Sequence, residues 1–328
     1  MMVYLQVLAG FVLLLTAAEI LVRGSVNLAL RLHVPPLVVG MTVVAFGTSA
    51  PEMVISIDAA LNGATGLAIG NIVGSNIANI LLILGAAAIV RPVLKKPEIS
   101  IRDATVLMLG SLLFALFVFN GSVGTLAAVV FLIVLFVFLW GSYREQARRQ
   151  DKPSLNGDVA SGQIEIEPSW KLAVNLLYIV LGLVGLVLGA ELLVDGGATI
   201  ARSYQVSEEV IGLTLLALGT SLPELAASVV AARRGHIDVA VGNVVGSNVF
   251  NMFAVGGFSA LIVPLPIISQ ISSFDIWVML GATAMIMPLL LLGRRLTRYH
   301  AAFYLLLYLV YIGAQAYGVE RLLNGFRI

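Results

Sequence analysis

The sequence predicts an all-α integral membrane protein of ten transmembrane helices in two inverted five-helix repeats. Three observations carry that prediction. The 328-residue chain is 59% hydrophobic and only 11% charged, against about 25% charged in ordinary soluble domains. Apolar runs of membrane length recur along it. One polar phrase occurs twice, as Gly47-Thr-Ser-Ala-Pro-Glu52 with Gly70-Asn-Ile-Val-Gly-Ser-Asn-Ile-Ala-Asn79, and as Gly219-Thr-Ser-Leu-Pro-Glu224 with Gly242-Asn-Val-Val-Gly-Ser-Asn-Val-Phe-Asn251. Matched positions lie 172 residues apart. From Gly40/Gly212 to Gly85/Gly257 the copies align without a gap and 21 of 46 positions are identical, which marks a duplication.

The spans fall near 3–28, 36–61, 66–90, 104–120, 123–141, 171–195, 207–232, 238–263, 274–292 and 300–318. The first lacks a basic leader and a small-residue cleavage site, so it reads as a membrane helix and not a removable signal. It carries Glu19 late, beside Arg23, and its match in the sixth span is Glu191. Structural roles suit both glutamates better than ion binding. An i,i+4 bridge from Glu19 to Arg23 would contribute little. The second and seventh spans hold the Pro-Glu motifs. The third and eighth hold Ser-Asn-x-x-Asn, which puts Ser75 with Asn79, and Ser247 with Asn251, on one helix face. Glycines at 70, 74, 242 and 246 recur every four residues and permit close helix approach. Trp140, Trp170 and Trp277 fall near span ends, as interfacial anchors do. His33, His236 and His300 fall in or beside loops and read as solvated. Asp58 reads as a headgroup-level residue, because the second copy has Val230 there.

The polar stretch 142–169 reads as a cytoplasmic linker. It divides a first half, 1–141, containing the repeat 40–85, from a second half, 170–328, containing the repeat 212–257. Fifteen basic residues, from Arg31 to Arg298, flank the loops after the odd-numbered spans. Only Arg202, Arg321 and Arg327 lie on the other side. The positive-inside rule then places both termini outside the cytoplasm. Five spans per half is an odd number, so the halves cross the membrane in opposite senses. Inverted repeats of this kind mark transporters, with a site near the midplane where the halves meet.

Proline lacks an N–H, so Pro51 and Pro223 should break their helices and free carbonyls around Ala45 and Gly47, and around Ala217 and Gly219. Irregular backbone at that depth persists only when buried or lining a wet cavity. Carbonyls, hydroxyls and a carboxylate are hard oxygen donors, suited to Na+, Ca2+ or Mg2+. The repeated groups are acidic or neutral. An anion site would want basic groups, so a cation is favoured, and two glutamates can balance one divalent ion. Ionisable groups at membrane depth are costly and usually functional. Interhelical packing alone is the bland alternative for the asparagine motif. There is no cysteine and no histidine pair at helical spacing, which argues against thiolate or zinc sites. A net charge of +1 gives no sign of nucleic acid, and no enzyme constellation is present.

At these motifs the chain resembles the cation/calcium exchanger superfamily, and more narrowly a prokaryotic sodium/calcium antiporter. The likeness covers nearly the whole chain, although 142–169 and spans four, five, nine and ten match only in length and hydropathy. It implies exchange of Ca2+ for Na+ across the cell inner membrane by alternating access, with no cofactor and no protein partner beyond the lipid bilayer. Glu52 and Glu224 would be the principal Ca2+ ligands. Thr48, Ser49, Thr220, Ser221, Ser75 and Ser247 would add hydroxyls for Na+. Ala45 and Ala217 would lend carbonyls, and Asn79 and Asn251 would complete the ring. Spans one and six would slide as a gate. Some members carry Asp at the position of Asn251. An amide there offers no charge, which keeps H+ open as the counter-ion. The alternatives are a Ca2+/H+ antiporter and, more distantly, a cation channel.

Overall fold

The computed structural model describes residues 2–95, 97, 99–150, 172–204 and 217–319. Among these, nine helices are long and apolar enough to cross a membrane. They are α1 (Met2–Arg31), α2 (Pro36–Leu61), α3 (Thr65–Val90), α4 (Ile101–Phe119), α5 (Thr125–Gln150), α6 (Leu172–Ser203), α8 (Ile237–Ile262), α9 (Ile271–Leu292) and α10 (Arg298–Tyr317). Between α6 and α8 the described part of the seventh span is a turn, Ala217–Gly219, followed by α7 (Leu222–Arg233). The expected start of that span, the linker beyond Gln150, Trp170, Lys96, Arg321 and Arg327 lie outside the described residues. The fifth helix continues nine residues past the expected end at 141, through the Arg-containing stretch to Gln150. Glu, Gln, Ala and Arg, which fill most of that stretch, are good helix formers.

The proline breaks are present. Ser49 and Ser221 leave helical geometry, with φ −83°, ψ 1° and φ −88°, ψ 3°, and Pro51 and Pro223 sit at the start of the restarted helices. The break falls later than expected. The Ala45 carbonyl still accepts the Ser49 N–H at 3.0 Å, because the missing donor belongs to Pro51, four residues beyond Gly47. In the second copy the Ser221 N–H bonds to Leu218 O at 3.1 Å. π-helical turns, which no residue pattern announced, run over Gly40–Val44, Asn79–Leu84, Asn251–Val255 and Ile271–Asp275. Two of them begin at the matched residues Asn79 and Asn251. Such turns are frequent at functional sites.

Two apolar clusters organise the bundle. The larger joins α2, α3, α4, α5, α8, α9 and α10 around Ile72, Ile80, Phe114, Phe131 and Phe253. The smaller gathers α1 and α6 with α7 and the first half of α2 around Leu21, Val26, Leu186 and Ala231. Glycine lets α1 and α6 touch along their length. A methyl at Gly189 would meet Leu14 N at 2.8 Å, and one at Gly24 would meet Tyr178 Cβ at 2.9 Å. Large apolar side chains such as Leu126, Phe136, Leu172 and Leu309 are exposed around the outside, the surface a bilayer covers.

The inverted symmetry is visible in small contacts. Ser111 meets its own repeat mate Thr283 at 3.5 Å, which puts the pseudo-two-fold axis between them. Strands β1 (Ser122–Val123) and β2 (Leu265–Pro266) pair antiparallel with Val123 opposite Leu265. A single bridge joins Val93 to Leu296, and Val93 is the match of Leu265.

Candidate functional site

The site lies where the broken helices α2 and α7 face each other, backed by α3 and α8. Glu52 and Glu224 occupy the first turns of the restarted half-helices, and each is only 1% exposed. Helix N-termini favour carboxylates there. Their hydrogen bonds cross between repeats. Ser49 Oγ donates to Glu224 Oε1 at 3.2 Å, and Ser221 Oγ donates to Glu52 Oε1 at 3.4 Å. Thr48 Oγ1 donates to Asn243 Oδ1 at 3.4 Å and lies 3.5 Å from the Ala45 carbonyl. Asn79 Nδ2 donates to Asn248 Oδ1 at 3.4 Å, again between repeats.

The structure therefore brings Thr48, Ser49, Glu52, Ser221 and Glu224 into one connected centre and joins Asn79 to α8. Ala45, Ser75, Ser247 and Asn251 are buried on α2, α3 and α8, Thr220 is buried in the break before α7, and Ala217 opens the turn before that break. Among the described residues of these elements, Glu52 Oε2, Glu224 Oε2, Ser247 Oγ and Asn251 Oδ1 are buried with no hydrogen-bond partner, as are the Asn248 and Asn251 amide nitrogens. Buried polar atoms are nearly always satisfied in folded proteins. Orphaned oxygen acceptors at a centre with two carboxylates are the donor set a hard cation takes.

Gly242 and Gly246 allow α8 to lie against the first half of α2. A methyl at Gly246 would meet the Met41 carbonyl and, at 2.7 Å, Ala45 Cβ.

Sequence reasoning missed several polar contacts. Asn71 Nδ2 donates to Ser56 Oγ at 2.9 Å and to Glu52 O at 3.2 Å, and Asn243 Nδ2 donates to Ser228 Oγ at 3.0 Å. The available signal was that Ser56/Ser228 and Asn71/Asn243 are polar and identical in both copies. Glu19 does bridge Arg23 as expected, with Nε at 2.7 Å, but it also takes Arg234 from the end of α7 through two nitrogens, at 2.7 and 2.6 Å. His236 is half-buried, not solvated. Burial, with the Arg91 and Arg234 guanidiniums beside it, holds its pKa below the ordinary value. Asp58, Trp140 and Trp277 are exposed; Asp58 and Trp277 lie near helix ends as expected, whereas Trp140 lies well inside the lengthened α5.

The model of the sodium/calcium exchanger protein family matches residues 2–144 and 174–317. The chain is 39% identical to CaxA of Alkalimonas amylolytica over 93% of its own length and 96% of that protein's. It is 30% identical to the sodium/calcium exchanger MaX1 of Methanosarcina acetivorans over 94% and 97%. Its fold superimposes on the solved sodium-calcium exchanger NCX_Mj with a TM-score of 0.78 and 30% identity, covering 95% of this chain and 98% of that one. The inverted ten-span topology, the paired glutamate motifs and these likenesses agree: the chain belongs to the sodium/calcium exchanger family, a family of membrane antiporters and not of enzymes.

Proposed function

We propose that this antiporter moves Ca2+ out of the cytoplasm in exchange for entering Na+, at a site formed by Glu52, Glu224, Thr48, Ser49, Thr220, Ser221, Ser75, Asn79, Ser247, Asn251 and the Ala45 and Ala217 carbonyls. The observation that carries the reading is the reciprocal Ser49–Glu224 and Ser221–Glu52 contact, which leaves one oxygen of each carboxylate unpartnered. Two ionised carboxylates at this depth cost several kcal/mol unless a cation compensates them. A carrier reoriented while empty would bear that cost, and one loaded with Ca2+ or Na+ would not. Strict exchange follows from that difference.

Alternating access needs a body that moves against the site. The α1–α6 pair suits that part, because among the described residues its buried side chains join one apolar cluster with α7 and the first half of α2, touched besides by Ala87, Val239 and Ala240. The Arg-rich ends of the helices, with Arg91, Arg234, Arg294 and Arg298, are assigned to the cytoplasm of a cell inner membrane.

The test is uptake of radioactive calcium by everted vesicles or proteoliposomes under an imposed Na+ gradient. Uptake that follows the Na+ gradient and stops without Na+ supports the reading. Uptake driven by a pH gradient alone overturns it in favour of Ca2+/H+ exchange. That second reading draws on Asn251, whose neutral amide leaves two titratable ligands at the centre. Flux down a Ca2+ gradient with no counter-ion would make the protein a channel.

A further inference from the structure

We infer that Asn71 and Asn243, which are not among the ion-binding residues above, are positioning residues that set the rotation of the two glutamate-bearing half-helices and so tune the site's affinity for Ca2+. The inference rests on the cation reading just given and adds residues to it.

The need for such residues comes from the breaks. In a continuous helix the direction of every side chain is fixed by the preceding turn. At Pro51 and Pro223 the ladder is interrupted, and the helix restarts at Ala50 and at Leu222. Each glutamate stands in the first turn after its break. Its direction is then no longer dictated by the turns before the break and has to be set by a contact from another helix.

The asparagines make that contact. Asn71 on α3 reaches the fully buried Ser56 at 2.9 Å and the Glu52 carbonyl at 3.2 Å. Asn243 on α8 reaches the fully buried Ser228 at 3.0 Å. Each serine follows its glutamate by four residues and so lies on the same helix face one turn further on. An amide N–H held to a buried hydroxyl is directional, and breaking it leaves a buried polar group unsatisfied. Asn243 also accepts from Thr48 Oγ1 at 3.4 Å, so a single side chain indexes α7 against a hydroxyl of the opposite repeat. Groups that orient metal ligands from behind change metal affinity by about 10- to 100-fold when removed. The same pair is present in both copies, whereas Asp58, two residues beyond Ser56, is matched by Val230.

The experiment uses the full chain, purified, with Ca2+ binding followed by titration calorimetry and Na+-driven uptake measured in liposomes. Asn71→Ala, Ser56→Ala and their double variant form one cycle, and Asn243→Ala, Ser228→Ala and their double variant form the other. Each single variant is expected to bind Ca2+ about tenfold more weakly, with KM for Ca2+ rising more than maximal turnover falls. Each double variant should be no weaker than its weaker single, because both singles break the same bond. Ser56→Thr, which keeps the hydroxyl, should retain wild-type affinity and shows that the cycle reads the bond and not folding. Folded single variants with unchanged Ca2+ affinity would overturn the inference, as would losses that simply add in the doubles. A wild-type protein that binds no Ca2+ would instead overturn the functional reading on which the inference stands.

Discussion

Ser49 donates to Glu224 at 3.2 Å, and its repeat mate Ser221 donates to Glu52 at 3.4 Å, so each half of the protein holds the carboxylate of the other. The two half-sites are thus interlocked across the pseudo-two-fold axis. Neither carboxylate is held in place by its own repeat alone.

Glu52→Gln and Glu224→Gln should each abolish exchange. Removing one member of a buried charged set costs about 3–5 kcal/mol, so calcium uptake per folded molecule should fall by more than about 100-fold, since about 1.4 kcal/mol is a factor of ten. Retention of near wild-type uptake in either variant would remove that glutamate from the site.

Ser49→Ala and Ser221→Ala should weaken Ca2+ binding by a similar, smaller factor. A hydrogen bond to a charged group contributes about 1.5–3 kcal/mol, which places the loss at about 10- to 100-fold. The near-equality is the sharper expectation, because the two bonds are related by the inverted repeat. Calorimetry on the two variants side by side would reveal any strong inequality.

Gly246→Ala should destabilise the protein by about 1–3 kcal/mol, as overpacking generally does. The added methyl meets the Met41 carbonyl, a backbone atom in the π-turn of α2 that cannot move aside without shifting that turn. A thermal melt in detergent measures the effect, and an unchanged midpoint would contradict the packing described.

Loss of the Glu19–Arg234 pair should barely affect stability. The side chains are 24% and 49% exposed, and exposed pairs contribute about 0–1 kcal/mol even with good geometry. Glu19→Gln should therefore lower the melting midpoint only slightly at low salt, and not at all at high salt. A large drop would mean that the pair fastens α1 to α7 far more strongly than its exposure implies.

His236 should make stability fall as the medium is acidified. Its folded pKa lies below the ordinary 6.5, so the unfolded chain takes up the proton first and stability rises with pH across that window. The contribution is present above about 6.5 and is lost as pH falls toward the folded value. His236→Gln should flatten this part of the pH–stability curve. A parallel curve for the variant would assign the slope to other groups.

Much of the molecule was legible beforehand because lipid imposes strong rules. The ten-span layout followed from apolar runs, and the boundaries of α2, α3 and α8 agree with the expected spans to within about a residue, because a break in hydropathy is also where the helix must end. Glu52 and Glu224 stood out as carboxylates where hydrocarbon was expected. Other features left no trace in residue order. The π-turns at Asn79 and Asn251 change how the helix is wound without changing its composition. Arg234 lies 215 residues from Glu19, and only the crossing of α1 over the end of α7 brings them together. The Ala45 carbonyl, expected to be free, accepts the Ser49 N–H, since the donor that Pro51 lacks would have paired with Gly47.

By itself the sequence determined the membrane class, the duplication, its inversion and the hard-oxygen chemistry of the repeated motifs. These follow from properties read along one dimension: hydropathy, the parity of the span count and the kinds of side chain present. Only the tertiary structure decided that Ser49 serves Glu224 instead of the nearby Glu52, and that Asn71 and Asn243 grip the half-helices through Ser56 and Ser228. Those pairings depend on how α2 and α7 are rotated after their breaks. That rotation is set by packing between helices distant in the chain, which no local pattern of residues encodes.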